Sequence, residues 1–172
     1  MIIKKQNKMK VNLKRLVFTS SLMLMIVFAA TSQNYNSAIG VRGGSLNGLT
    51  FKHFLGSNAA FEGILATRWR GFHVTGLYEK HATAFNNEQF QWYYGAGAHV
   101  GFYDGYKNHP YFHDDDHNKD YVVIGIDGIL GLEYAIEAIP ISIGIDWKPE
   151  FNIVGYSGFW FGDGGIAIRY YW

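Results

Sequence analysis

The segment YVVIGIDGILGLEY, Tyr121 to Tyr134, decides the fold class because its polarity alternates from one residue to the next. Counting by two puts both of its acids, Asp127 and Glu133, on one face. The opposite face is apolar and consists of Val122, Ile124, Ile126, Gly128, Leu130, Leu132 and Tyr134. A helix, with about 3.6 residues per turn, would put the two acids on unrelated faces. The segment is therefore predicted to be a β-strand.

The same period of two recurs along most of the chain. It is clear in FEGILATRW (61–69), GFHVTGLYEKH (71–81), FQWYYGAGAHVGFY (90–103) and PISIGIDWKPEF (140–151). Shorter segments around 38–43 and 49–55, and a final segment over 160–172, bring the set to eight. Pro149 interrupts one strand pattern and lacks an amide donor, which predicts a bulge or a strand end near the outer rim of the barrel.

Composition agrees with an all-β fold. Aromatic residues make up 17% of the chain, and it contains 21 glycines but only 3 prolines. Abundant glycine lets strands approach closely while large rings cover one face of the sheet. In a helix each glycine would cost about 1 kcal/mol relative to alanine. A helical fold is therefore disfavoured.

The connections predict a closed barrel. Short turns at Gly56-Ser57-Asn58, Asn86-Asn87-Glu88 and Glu137-Ala138 contrast with a long polar stretch over 104–120. An even strand number, strands of about 9–11 residues, and short turns at one end are typical of transmembrane barrels. We predict an all-β, eight-stranded antiparallel up-and-down transmembrane β-barrel over 33–172.

Residues 1–32 are predicted to be a cleaved signal peptide. Six basic residues and no acid stand in the first fifteen positions, and the apolar stretch LVFTSSLMLMIVFAA follows them. Small residues at Ala30, Thr31 and Ser32 suit signal peptidase, so we expect cleavage after Ser32. A membrane anchor is the alternative, but the stretch falls short of the roughly 20 residues that span a bilayer.

Charge and cysteine content narrow the function classes. Beyond the leader, nine basic side chains stand against fourteen acidic ones, a formal balance of −5. This mildly acidic balance gives no indication of nucleic-acid binding. The chain has no cysteine, so the exported domain must be stable without disulfides.

The polar face of the strands predicts a lumen filled by ion pairs. Five basic and six acidic residues lie on it: Arg42, Lys52, Glu62, Arg68, Glu79, Asp127, Glu133, Asp146, Lys148, Glu150 and Arg169. Eight strands enclose only enough space for side chains, and unpaired charges there would be costly. We therefore expect a plugged lumen without an open pore, and we expect the apolar face to meet lipid.

Aromatic residues are expected at both ends of the barrel. Trp92, Tyr94, Tyr134, Tyr170 and Trp172 lie near strand ends on the short-turn side, and Trp69, Phe72, Phe102, Tyr121, Phe159 and Trp160 near the other. Two aromatic belts separated by aliphatic residues are typical of the two membrane–water interfaces. Trp172 is therefore expected in one of these belts.

These features resemble a known class. The leader, the eight amphipathic segments and the terminal IRYYW resemble the small eight-stranded outer-membrane β-barrel proteins of diderm bacteria, the outer membrane protein beta-barrel domain family. GIDGILGLEY followed by IPISIGIDWKPEFN is especially similar to this family, and the resemblance covers 34–172. It implies location in the outer membrane, contact with its lipid, and Tyr170 and Trp172 as the signal recognised by the barrel-assembly machinery. It implies no reaction and no cofactor.

The stretch NHPYFHDDDHNKD (108–120) is the strongest metal-binding candidate in the sequence. Its histidines are spaced by four, with three aspartates between the last two, and the candidate ligands are His109, His113, Asp115 and His117. Imidazole and carboxylate suit zinc, nickel or copper(II), whereas the pattern lacks the closing Glu of a calcium-binding EF-hand. A solvated polar loop is the alternative. His73 and His99 face the predicted lumen and are interpreted as hydrogen-bonded interior histidines.

Three function hypotheses follow. The first is a non-enzymatic outer-membrane barrel with a role in envelope structure or surface interaction through its outer loops. The second is a lipid-modifying enzyme of the lipid A deacylase or acyltransferase type, for which Ser157, His73 and His81 are candidates although no spacing motif links them. The third is a soluble lipocalin-like carrier, whose apolar face would point inward.

Overall fold

The computed structural model describes residues 36–68, 71–103, 121–155 and 158–172, all within the unit Gln33–Trp172. The side chains of Arg68 and Tyr121 are outside this description. So are the predicted signal peptide over 1–32, the metal-ligand candidates His109, His113, Asp115 and His117, and Ser157. Among the described residues no helix is long and apolar enough to cross a membrane.

Every regular element among the described residues is a β-strand. The strands are β1 (Ser37–Gly44), β2 (Asn47–Phe54), β3 (Ala59–Arg68), β4 (Gly71–Ala84), β5 (Asn87–Tyr103), β6 (Tyr121–Ile136), β7 (Ile141–Trp147), β8 (Glu150–Val154), β9 (Gly158–Trp160) and β10 (Gly164–Tyr171). The alternating residues of β6 show why: Asp127 and Glu133 are buried, while Ile126 and Leu130 are 53% and 48% exposed. Buried and exposed side chains therefore alternate with the period of two that the sequence shows.

The strands close into a barrel with eight strand positions. Each strand pairs antiparallel with its neighbour in sequence from β1 to β7, and β10 pairs with both β7 and β1. At the closing seam Val41 of β1 lies opposite Ile168 of β10. β8 continues the position of β7 along β6, and β9 continues that of β10. The predicted all-β, eight-stranded antiparallel up-and-down barrel is thus confirmed.

Two adjacent strand positions are interrupted at the same height. The first breaks at Lys148 and Pro149, between β7 and β8, and the second at 161–163, between β9 and β10. Pro149 has no amide hydrogen, but its carbonyl still accepts a hydrogen bond from Gly128 N at 2.8 Å. The Lys148 amide donates to the Asp163 carbonyl at 2.7 Å and ties the two breaks together. The irregularity at Pro149 is therefore a strand break, and it lies opposite the middle of β6, whereas the sequence predicted it near the outer rim.

The two ends of the barrel differ in their connections. We call the end with Ser37, Tyr171 and the turns at 55–58, 85–86 and 137–140 the proximal end, and the other end the distal end. The proximal turn at Phe85 and Asn86 has both residues at positive φ, 56° and 53°, as in a two-residue type I′ hairpin. At the distal end, residues 104–120 connect β5 to β6.

Strand lengths are less uniform than the sequence predicts. β1 and β2 have 8 residues each, whereas β5 and β6 have 17 and 16. The long pair remains hydrogen-bonded from Phe90 opposite Tyr134 to Tyr103 opposite Tyr121. One side of the barrel wall is therefore taller than the other.

Candidate functional site

The interior of the barrel is the candidate site, and its glycines make room for large polar side chains. A Cβ added at Gly131 would collide with the Tyr93 ring, and one at Gly165 would lie 2.5 Å from Cζ of Arg42. One at Gly144 would lie 3.0 Å from Nη1 of Arg169. The glycine-rich face is therefore the face along which Tyr93 and the two arginines lie.

A proximal cluster of five charged side chains fills the lumen near the proximal end. Its members are Lys52, Arg169, Glu62, Glu79 and Glu133. Lys52 Nζ contacts all three carboxylates, at 3.1 Å for Glu62, 2.8 Å for Glu79 and 3.3 Å for Glu133. Arg169 binds Glu62 at 2.6 Å and Glu133 at 3.5 Å. Each charged side chain of this cluster thus has at least one oppositely charged partner inside the barrel.

Thr50 adds a neutral member to the proximal cluster. Its hydroxyl donates a hydrogen bond to Glu62 Oε1 and accepts one from Arg169 Nε at 3.4 Å. The residue is 1% exposed, so this hydroxyl has no access to bulk water. Thr50 therefore satisfies hydrogen-bonding capacity that the ion pairs leave open.

A distal cluster of six charged side chains lies further toward the distal end. It consists of Arg42, Lys148, Asp127, Asp146, Glu150 and Asp163. Arg42 binds Asp146 at 2.6 Å and Asp163 at 3.2 Å. Lys148 Nζ contacts Asp127 at 2.9 Å, Asp163 at 3.1 Å and Glu150 at 3.3 Å. Asp163 thus joins the two cations.

Tyr93 lies between the two clusters and touches both. Its hydroxyl donates to Asp146 Oδ2 at 3.3 Å, and Lys52 Nζ lies 4.2 Å from its ring centroid. The His81 ring stacks on it with centroids 5.4 Å apart. Tyr93 is fully buried, so the two clusters form one continuous polar interior.

Three of the histidines in the described part of the chain project into this interior at two heights. His81, near the proximal end, lies 3.2 Å from both Glu79 Oε2 and Gln91 Oε1. His73 and His99, toward the distal end, stack with ring centroids 4.6 Å apart. Together with Glu150 they form a group whose ligand-type atoms all lie within 4.8 Å of one another. His53 differs, because it is exposed and pairs with Ser37 Oγ at 2.8 Å.

The structure brings together most of the charged residues singled out in the sequence. Buried in the two clusters are Arg42, Lys52, Glu62, Glu79, Asp127, Glu133, Asp146, Lys148, Glu150 and Arg169. Arg68 ends β3, and its side chain lies outside the description. Sequence reasoning left out Asp163, although its parity with Ala167 and Arg169 was the available signal. Tyr93 was also left out of the network, although it is a large ring on a glycine-rich face.

Aromatic side chains contact one another near both ends of the barrel. Phe90 packs on Tyr134 at 4.6 Å and Tyr170 on Trp172 at 6.1 Å near the proximal end. Phe159 packs on Phe151 at 4.5 Å and on Phe161 at 5.4 Å near the distal end.

Trp160 does not belong with the outward-facing distal rings, contrary to the sequence expectation. It lies directly opposite Glu150 in the register and is half-buried, whereas Phe161 is 61% exposed. Side chains that lie opposite each other across an antiparallel pair share a face. The break at 161–163 shifts the alternation and puts Trp160 on the lumen side.

Tyr170 and Trp172 lie at the seam that closes the barrel. Trp172 N donates to Ser37 O at 2.9 Å, and its carbonyl accepts from Asn36 N and Ser37 N at 3.1 and 3.2 Å. The Trp172 side chain is 51% exposed. The backbone of Trp172 therefore holds the seam, while its ring faces outward.

The described candidates for a lipid-modifying reaction lie far apart. His73 and His81 both belong to β4, and eight residues of strand separate them by about 26 Å. Both side chains point into the lumen. Since a base must lie within hydrogen-bonding distance of its nucleophile, the two histidines cannot both serve one serine.

No protein-family model matches this chain, and neither does any curated protein or solved structure. The fold and the site themselves define a class: a small closed β-barrel with a charged, side-chain-filled interior and an apolar outer wall.

Proposed function

We propose that this protein is an integral outer-membrane β-barrel of a diderm bacterium, with a structural or surface-interaction role in the envelope. The observation that carries the proposal is the inverted burial. Charged side chains such as Lys52 and Arg169 are fully buried, whereas Val41, Ile145 and Ile166 are 55%, 59% and 56% exposed. Such a wall is costly in water and favourable in lipid.

The outward apolar surface surrounds the barrel rather than forming one patch. Exposed aliphatic or aromatic residues occur on all ten described strands, including Leu49, Leu65, Val74, Ile124 and Ile143. Soluble monomers rarely expose contiguous apolar patches larger than a few hundred Å². A continuous apolar band therefore supports contact with lipid, and the aromatic contacts near both ends support two interfaces.

The interior supports a structural role better than a transport role. The proximal and distal clusters are joined through Tyr93, and the clustered side chains leave little of their surface accessible. An eight-stranded barrel encloses only enough space for such side chains. A specific activity is then expected from the segments that connect the strands at the distal end, of which 104–120, between β5 and β6, is the longest in sequence.

Fractionation of cells tests the proposed location. We expect the protein in the outer-membrane fraction, resistant to carbonate extraction and heat-modifiable in gel mobility, as closed barrels are. Recovery as a soluble periplasmic protein without detergent would contradict the proposal and favour the lipocalin-like alternative.

Planar-bilayer recording tests the plugged lumen. We expect the purified protein to give little or no conductance, because the ion pairs cross the lumen at two heights. Large, stable single-channel steps would contradict the plug while leaving the membrane location intact.

A further inference from the structure

Three side chains from three different strands converge in the lumen toward the distal end. His73 of β4, His99 of β5 and Glu150 of β8 each offer one ligand atom, and these atoms lie within 4.8 Å of one another. His73 Nε2 and Glu150 Oε2 are 4.0 Å apart. All three residues are buried, at 2%, 1% and 6% exposure. The group is therefore built by the fold and shielded from bulk solvent.

The remaining ring nitrogens are held by neighbours in the manner of metal-bound histidines. His99 Nδ1 lies 2.9 Å from Asp127 Oδ2, and His73 Nδ1 lies 3.2 Å from Thr75 Oγ1. Histidines that bind metals commonly have the second ring nitrogen hydrogen-bonded to a carboxylate or another acceptor, which fixes the ring. The Nε2 atom of His73 faces Glu150 Oε2 at 4.0 Å, and the Nε2 atom of His99 faces Asn152 Oδ1 at 2.9 Å.

Asn152 provides a fourth donor at the same place. Its Oδ1 lies 2.9 Å from His99 Nε2. Asn152 and Glu150 both belong to β8, two residues apart, so their side chains leave the strand on the same side. The donor set is therefore two imidazole nitrogens, one carboxylate oxygen and one amide oxygen.

The charge of the distal cluster favours a cation here. Among the described side chains, Arg42 and Lys148 supply two positive charges against four carboxylates. Carboxylates therefore outnumber basic side chains in the described part of this cluster, and such a concentration of acidic groups attracts a cation.

We propose that His73, His99 and Glu150 bind one divalent transition-metal ion, with zinc as the best match and Asn152 as the fourth ligand. Two nitrogens with two oxygens suit zinc, whereas calcium and magnesium prefer oxygen alone. Zinc bonds of about 2.0–2.2 Å put ligand atoms about 3.3–3.6 Å apart, so the side chains close in by roughly 1 Å. The ion joins β4, β5 and β8.

Calorimetric zinc titration tests the site independently of cellular location. The full chain is refolded into detergent micelles, and a chelator first removes any bound metal. The background carries H109N, H113N and H117N, which removes the histidines of residues 104–120. We expect one zinc per chain in this background. H73N and H99N should each lower the affinity by at least about 100-fold, and T75V by about 10–100-fold.

His81→Asn is the matched control, because His81 is a buried lumen histidine near the other end of the same barrel. We expect H81N to leave zinc affinity unchanged. Absence of zinc binding in the background protein, or equal loss in H81N and H99N, would overturn the site. An ordinary hydrogen-bonded histidine pair would give that result.

Far-UV circular dichroism shows whether each variant folds. If one does not, cobalt absorption of the background protein still tests the site. The background protein with Co²⁺ should show the intense visible bands of four-coordinate cobalt, and excess zinc should remove them. A weak octahedral spectrum identical to that of free Co²⁺ would overturn the site without any lumen substitution.

Discussion

The two faces of the barrel wall are stabilised in different ways although the same strands form both. In β7, Asp146 is 5% exposed and pairs with Arg42, while its neighbours Ile145 and Trp147 are 59% and 45% exposed. The lumen face depends on specific partners, whereas the outer face depends only on being apolar. Removing one charged side chain from the lumen, or adding one to the outer face, should therefore lower the free energy of unfolding.

Removing a shared lumen cation gives the largest expected effect. Lys52→Met leaves Glu62, Glu79 and Glu133 without their common partner in a fully buried site. Breaking a buried ion pair from one side costs about 3–5 kcal/mol. We expect that loss in the free energy of unfolding, measured by urea titration of the micelle-refolded protein.

Lys80→Met is the matched control on the same barrel. Lys80 is half-buried on the outer face, and its ammonium lies 5.7 Å from the Tyr78 ring centroid. Loss of that contact should cost less than about 1 kcal/mol. Equal destabilisation by the two substitutions would mean that the lumen ion pairs stabilise the fold no more than a contact on the outer face does.

Adding a charge to the outer face gives the next largest effect, and it should depend on depth. Leu130 lies near the middle of β6 and Val122 near its distal end, with similar exposures of 48% and 44%. Arginine on a lipid-facing strand costs about 2–4 kcal/mol at the midplane and about 0–1 near an interface. Unfolding of Leu130→Arg and Val122→Arg in lipid vesicles should differ accordingly, and equal costs would contradict a bilayer around the wall.

Trp172→Lys should have the smallest thermodynamic effect and a large cellular one. The backbone bonds to Ser37 survive the substitution, and a charge near the interface costs only about 0–1 kcal/mol. The resemblance to outer-membrane barrels implies that the barrel-assembly machinery recognises the Trp172 side chain. We expect normal refolding in micelles but a lower ratio of inserted to protease-sensitive periplasmic protein. Normal insertion in cells, or equal failure in micelles, would exclude the assembly signal.

Local alternation made the strands and their polar faces predictable from sequence. Asp127 and Glu133 are assigned to one face by counting alone, and both are buried. The partners were not predictable, since Arg169 of β10 reaches Glu62 of β3 across the closed barrel. Counting failed across the break over 161–163 for Trp160, which it put on the wrong face.

The histidine group shows a second limit of the sequence. The spacing within 108–120 drew attention to metal binding because its histidines are close in the chain. His73, His99 and Glu150 come from strands separated by 26 and 51 residues, so only the register of the closed barrel brings them together. A ligand set assembled from three strands leaves no local motif.

Fluorescence quenching by brominated lipids tests most directly which face of the wall meets lipid. Trp147, on the outer face, and Trp160, on the lumen side, are compared as single tryptophans in vesicles of brominated phosphatidylcholine, with the other tryptophans replaced by phenylalanine. We expect strong quenching of Trp147 relative to unbrominated vesicles and little quenching of Trp160. Equal quenching of the two, or an unquenched Trp147, would contradict a lipid-facing wall around a charged lumen.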